Sequence, residues 1–444
     1  MLIKNADIDG VIRDIRVADG VVTEISSSLS NEEAVIDADG CAVIRGLTDN
    51  HIHLCAYAAA RDSLHLKQLS DISDAHLRVP IDQTLRVVDY HEDLHGRLDK
   101  YALDSLAPGR IVRVQHQSGR AWVLSSAALR DAGLVHETGV LIGEEGADLP
   151  SRVDAPPDLG RASQALACVG VTRLTDATPY RSLESASLLI DAVTVGAVRQ
   201  SVSFTGAPEI AASLPSAFVQ GPVKIVVGDH DLPSVELLVD AVNTARAHGR
   251  NVAFHCVTTT ALALIVAAMR EVGPSQLAHF DRIEHAAVVP NEYVDELKRL
   301  RLVIVTQPGF VHARGDRYLR TVDRVDLPFL YRCGSLVAAG ISVYGSSDAP
   351  YGPVDPWLAM RTAIDRRTAT GAVVGKDESI SALSALRAYV NSPQETWRDE
   401  VGPRVGDPGD LVILGESLQG SLSHLNSVSV RATAIGGDLV FSRD

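Results

Sequence analysis

At 444 residues and 46% hydrophobic content, the chain is long enough for one large domain and a smaller one, with the Gly and Pro content of a soluble globular protein. A formal net charge of −15 and a pI near 5.4 argue against a nucleic-acid or membrane partner, both of which need a basic footprint, and leave a small-molecule substrate as the expected partner. Cys41, Cys55, Cys168, Cys256 and Cys333 are odd in number and form no Cys-x-x-Cys, no leader-like stretch opens the chain, and no apolar run approaches the ~18 residues of a membrane span; a reducing cytoplasm is the expected location.

Residues 1 to about 45 read as short strands punctuated by Asp9-Gly10, Asp19-Gly20 and Asp39-Gly40, a small β-meander too short to bury a core alone. Its expected partners lie at the other end, in Asp410 to Leu414, Val428 to Thr433 and Gly436 to Phe441, so both termini (1–45 and 401–444) are expected to build one β-sandwich. Between them (46–400), eight apolar runs alternate with helical patterns: Val43 to Leu54, Val171 to Thr178, Val198 to Phe204, Val223 to Val227, Val252 to Val257, Arg282 to Val289, Leu302 to Gln307 and Ile341 to Ser346. Val235, Leu238, Val239, Val242 and Ala245 carry helical spacing, as do Val294, Leu297 and Leu300 in part. Buried strands with amphipathic helices between them predict an α/β fold with a parallel sheet, and eight runs are the count of a (β/α)₈ TIM-like barrel.

The interval 55–165 is too long for a βα loop and is expected to form an inserted subdomain. It reads as a helix with Leu94, Leu98 and Tyr101 on one face, a β-like piece over Gly109 to Val114, and a second helix around Ser125 to Ala132. Leaving the barrel directly after His53, it is expected to overhang the functional rim as a lid that sets substrate choice.

The first run ends in His51-Ile52-His53. Successive strand side chains alternate faces, so the two imidazoles project the same way, roughly 7 Å apart. A His-x-His pair alone says little, but Lys224, His255, His285 and Asp348 follow at the ends of later runs, where a barrel places its functional groups. Imidazole and carboxylate are the ligands zinc takes when it keeps a position open for water. Singly, each residue has a plainer reading: His255 as a core histidine, His285 as a paired surface group beside Glu284, Asp348 as an N-cap. The ordered series points to a metal. Lys224 stands on an apolar strand, where an ammonium is costly unless paired or neutralised. A lysine there can lose its proton and add CO2, giving a carbamate able to bridge two cations; alternatively its amine snorkels or pairs with Asp229.

Taken together, Gly46 to His53, Arg282-Ile283-Glu284-His285-Ala286, Gly345 to Pro350 and Pro408 to Ile413 resemble the metal-dependent amidohydrolase superfamily over nearly the whole chain, within it the branch of N-substituted formamide deformylase-like enzymes (amidohydrolase family 3). The resemblance implies that His51, His53 and Asp348 hold one divalent metal and His255 and His285 a second, with carboxylated Lys224 bridging. The metals would be two zinc ions, with manganese or iron as alternatives, in a binuclear centre whose hydroxide attacks a C–N bond of an amide, an N-formyl or N-acyl amine, or a cyclic amide. Asp348 would take the proton of the attacking water and pass it to the leaving nitrogen. Relatives of this kind are often dimers or tetramers, which makes a homo-oligomer one reading, and the sequence alone leaves the oligomeric state open.

The chain departs from that branch at Arg45, where Pro is usual, at Gly119-Arg120, where Gly-His is usual, and in the short segment Val227 to Pro233, whose His230 is a spare ligand candidate. Arg120, His116, His312, Arg314 and Arg317 are candidates for a polar wall that binds a substrate carboxylate or carbonyl, with Arg314 and Arg120 foremost. Two rivals remain: a mononuclear aminohydrolase that deaminates a heterocycle, against which Lys224 argues, and a non-catalytic scaffold on the same fold, against which the full ligand set argues.

Overall fold

The computed structural model describes residues 1–30, 34–80, 83–143, 156–211, 213–228, 231–423, 425 and 430–443. The chain divides into two compact units, one formed by Met1–Leu54 with Leu159–Asp444, the other by Cys55–Asp158.

In the first unit, β1 (Leu2–Ile8), β2 (Val11–Ala18) and β3 (Val21–Ser26) form the antiparallel meander. Both two-residue turns place Asp and then Gly at positive φ, 49° and 89° at Asp9-Gly10, 50° and 77° at Asp19-Gly20, the twist a tight hairpin requires. A fourth strand, β4 (Val35–Asp37), adds in parallel to β1. The run from Val43 to Leu54 is two strands rather than one: β5 (Val43–Arg45) and β6 (Leu47–Ile52) belong to different sheets. Gly46 stands at the break, where a Cβ would lie 2.0 Å from Thr172 Oγ1.

The second unit is a five-stranded sheet of β7 (Leu64–His65), β8 (Leu85–Tyr90), β9 (Val112–His116), β10 (Ala121–Leu124) and β11 (Val140–Ile142), with β7, β8 and β9 parallel and the rest antiparallel. Its core includes Ile72, Val87, Leu103, Val112 and Val114. The helix expected through Leu94, Leu98 and Tyr101 is instead two short helices, Glu92–His95 and Lys100–Leu106. Gly96 at φ 76° ends the first and the Asp99 carboxylate caps the second, so that only Leu98 of the three is buried while Leu94 and Tyr101 face solvent. Ser125 caps the helix Ser126–Asp131.

Back in the first unit, β6 pairs with β12 (Val171–Asp176), followed by β13 (Ser201–Phe204) and β14 (Phe218–Gln220), all parallel. A second parallel sheet runs β15 (Val223–Val226), β16 (Val252–Cys256), β17 (Arg282–His285), β18 (Val303–Thr306) and β19 (Val343–Gly345). Main-chain hydrogen bonds join the two sheets on both sides, from Lys224 N to Thr205 O (3.3 Å) and from Asp348 N to His51 O (2.8 Å). Every residue of β6, β17 and β18 is buried, as expected of strands covered on both faces. The helix Val235–Ala247, capped by Ser234, buries Leu238, Val242 and Ala245, and the helix Thr259–Val272, capped by Thr258, packs into the same core as Phe254 and Ile283. The chain closes with β20 (Leu411–Leu414), β21 (Val430–Ile435) and β22 (Asp438–Ser442), in the order β22-β21-β20-β5. Ile3, Ile15, Val17 and Val22 share one apolar cluster with Val43, Leu411, Ile413 and Ala432. Among the described residues, no helix is long and apolar enough to cross a membrane.

Candidate metal centre

Parallel register sets the site. Val226 pairs with His255 and Cys256 with His285, so β15, β16 and β17 end at one level, and Asp348 follows β19 beside the end of β6. Asp49 on β6 ties these ends together. Its carboxylate accepts from Ser347 N (3.0 Å), Ser347 Oγ (2.5 Å) and His51 N (3.2 Å), although burial pushes its carboxyl up to about 6. Asp348 at φ 53° and His285 at φ 68° adopt the left-handed conformation, which for a non-glycine residue is uncommon and here aims both side chains inward from strand ends.

His51 is fully buried and anchored from behind: Nδ1 is hydrogen-bonded to a Glu284 carboxylate oxygen, and the other Glu284 oxygen lies 2.5 Å from Arg282 Nε. This carboxylate fixes the ring's tautomer and leaves Nε2 facing the site, 3.5 Å from Asp348 Oδ1 and 3.4 Å from Lys224 Nζ. His53 Nε2 lies 3.4 Å from the same Asp348 oxygen, and its Nδ1 is 3.1 Å from Thr178 Oγ1. His285 gives Nδ1 to Gln307 Oε1 (2.9 Å), so Nε2 faces His255 Nδ1 at 3.0 Å; Asp348 Oδ2 is 3.9 Å from His285 Nδ1.

The electrostatics follow from burial. It drives the His51 imidazole well below its ordinary value, reinforced by the Lys224 charge, and lowers His285 as well. Burial also pushes the Lys224 amine down to about 8, against the pull of Glu284 and Asp348. Burial alone would raise the Asp348 carboxyl, but the close approach of the His53, His51 and His285 imidazoles outweighs it and holds Asp348 well below the carboxylate range.

These residues fit a divalent ion. His51, His53 and Asp348 each offer a donor atom within 4.8 Å of the others, and Asp348 Oδ1 is buried without a hydrogen bond, an arrangement that is costly unless a cation compensates it. Two imidazole nitrogens and one carboxylate oxygen are a catalytic zinc donor set.

The structure thus brings together His51, His53, Lys224, His255, His285 and Asp348. Arg314 lies nearby: it donates to the Tyr351 carbonyl and sits 4.3 Å over the Phe310 ring, while the Tyr351 ring is 5.5 Å from His53. His312 and Arg317 share its helix, Gly309–Thr321. His116 and Arg120 belong to the other compact unit, and His230 and Asp229 lie outside the described residues. Sequence reasoning did not find Glu284, Arg282, Asp49 and Gln307. A signal for the first pair existed, since alternation puts the opposite charges of Arg282 and Glu284 on one face of the strand that ends in His285.

A parallel α/β fold thus gathers imidazoles and a carboxylate at its strand ends, with Lys224, the second residue of β15, reaching them from within its strand. The chain belongs to the Amidohydrolase family, whose sequence profile matches residues 165–441. It is 23% identical over 509 residues to YtcJ of Bacillus subtilis (strain 168), whose name assigns it provisionally to the amidohydrolases, covering 98% of this chain and 95% of that protein. It is 24% identical over 506 residues to the N-substituted formamide deformylase of Arthrobacter pascens, covering 96% of this chain and 93% of that one. An uncharacterized metal-dependent hydrolase from Pyrococcus horikoshii OT3 has a similar fold, with a TM-score of 0.71 at 19% identity over 87% of this chain and 91% of that one.

Proposed function

We propose that the protein hydrolyses a C–N bond of an amide, an N-formyl or N-acyl amine, or a cyclic amide, releasing an amine and a carboxylate. The observation that carries this reading is the convergence of His51, His53 and Asp348, with Asp348 Oδ1 buried and lacking a hydrogen-bond partner. Likeness to a deformylase of N-substituted formamides supports the substrate class. The parallel sheets joined on both sides support reading them as one (β/α)₈ barrel, and the apolar cluster shared by the terminal sheets supports a β-sandwich.

In this reading His51, His53 and Asp348 would hold one divalent ion, and His255 and His285 a second, with Lys224 as its carbamate supplying a carboxylate between the two sets. Such ions supply a Lewis acid for the carbonyl and lower the pKa of water. Glu284 and Gln307 orient His51 and His285 through their outer nitrogens. Asp348 accepts the proton of the attacking water and returns it to the leaving nitrogen, so an amine departs as the acyl carbon gains oxygen. Arg314, which donates to the carbonyl of Tyr351, whose ring lies 5.5 Å from His53, is the cation this reading assigns to a substrate carboxylate or carbonyl.

The test is a product-release assay on N-formyl, N-acyl and cyclic amides with zinc, manganese or iron supplied. At least one class should be hydrolysed, and Lys224→Ala should be inactive. Full activity and metal content in Lys224→Ala would remove the bridging carbamate from the account.

A further inference from the structure

The second unit carries its own group of ligand-type side chains. β8 and β9 are parallel neighbours with Tyr90 opposite His116, so their C-terminal ends deliver His91, just after β8, and His116, the last residue of β9, to one place. The rings are 4.9 Å apart between centroids, and Glu92 reaches both: Oε2 is 3.0 Å from His116 Nε2 and 3.9 Å from His91 Nδ1. One donor atom from each of the three lies within 4.8 Å of the others. Asp93 Oδ2 is 3.7 Å from His91 Nδ1. Both imidazoles are mostly buried, with side-chain exposures of 14% and 17%, and the β8 and β9 residues below them, Val87, Tyr90 and Val114, are core.

Proton positions sharpen the point. His91 Nδ1 accepts the Asp93 main-chain N–H at 3.1 Å, and an amide can only donate, so this nitrogen carries a lone pair. It nevertheless faces two carboxylates at 3.9 and 3.7 Å. At His116, Nδ1 accepts the Ser118 main-chain N–H at 3.0 Å and lies 2.8 Å from Ser118 Oγ, which leaves Nε2 directed at Glu92 Oε2 at 3.0 Å, carrying the proton an arriving ion would displace.

We infer that His91, Glu92 and His116, with Asp93 at the margin, bind one divalent transition-metal ion of imidazole-preferring type, zinc above all, separately from the centre of the first unit. Glu92 is half-exposed and an ion must compete with the Asp93 amide for His91 Nδ1, so this site is weaker than a fully buried one and keeps positions open to water.

The test counts zinc bound per full-length chain, after chelation and dialysis against buffered free zinc, in the wild type and in His91→Ala, His116→Ala and Glu92→Gln, with near-ultraviolet circular dichroism as the folding control. The expected result is one ion fewer in each histidine variant and about tenfold or more weaker binding of that ion in the isosteric Glu92→Gln. Copper(II) bound to the wild type should show an additional nitrogen-coordinated electron paramagnetic resonance signal that His116→Ala lacks. The difference is independent of how many ions the first unit holds, so it stands or falls apart from the proposed hydrolysis. Equal zinc counts and affinities in the wild type and a folded Glu92→Gln would overturn the second site and leave a hydrogen-bonded cluster.

Discussion

The two ligand clusters are built alike and behave differently. Each gathers imidazoles and carboxylates at the C-terminal ends of adjacent parallel strands, yet His51, His285 and Asp348 are buried, whereas Glu92 lies half in solvent. Burial lowers the His51 and His285 imidazoles and leaves Asp348 Oδ1 without a hydrogen bond, while in the second the main-chain amides of Asp93 and Ser118 engage the rings. Strand ends supply geometry; solvent exclusion decides how strongly that geometry demands an ion.

That contrast can be broken by substitution. Asp348→Asn keeps the shape but removes the ionised acceptor, and hydrolysis should fall by about 10²–10⁴-fold, the range of a lost general base. Glu92→Gln, its counterpart in the second cluster, should leave the turnover of the same substrates far less changed. Steady-state kinetics on the two variants decides the point.

Glu284→Gln probes what lies behind the buried histidine. It should weaken metal binding by about 10–100-fold and, by leaving the Arg282 guanidinium buried without its partner, cost about 3–5 kcal/mol in denaturant unfolding. Ser118→Ala, behind His116 in the cluster opened to solvent by half-exposed Glu92, should cost little stability; similar losses in both would erase the distinction drawn from burial.

Smaller effects test the scaffolds. Gly46→Ala drives a Cβ into Thr172, where the chain passes from β5 to β6 toward His51, and should cost about 1–3 kcal/mol, recovered in part by adding Thr172→Ala. In the second unit, Ser125 Oγ receives Val112 N–H and Ala128 N–H and donates to the Arg110 carbonyl, so it sets the start of β9 as well as a helix cap. Ser125→Ala should cost about 1–2 kcal/mol.

Much of the fold is legible because its signals are local. Apolar runs such as Val252 to Cys256 and Val303 to Thr306 announce buried parallel strands, Asp-Gly pairs announce hairpin turns, and Leu238, Val242 and Ala245 announce a helix face. Elsewhere packing outweighed pattern. Val43 to Leu54 looks like one strand because apolarity does not register that Thr172 stands where a Cβ at position 46 would be. Leu94, Leu98 and Tyr101 keep helical spacing, but Gly96 and the Asp99 cap stop and restart the helix between them. At the site, the residues with metal-ligand chemistry can be singled out by type and order. Their supports cannot: Glu284 reads as a neighbour of His285, yet strand alternation turns it to His51, more than two hundred positions away in the chain.

The most direct test of the strand-end centre is diffraction from zinc-soaked crystals of the full chain at the zinc absorption edge. The account predicts an anomalous peak within bonding distance of His51, His53 and Asp348, absent in Asp348→Asn. Wild-type crystals with no peak among those three side chains, with the protein hydrolysing an amide at full rate after chelation, would contradict it.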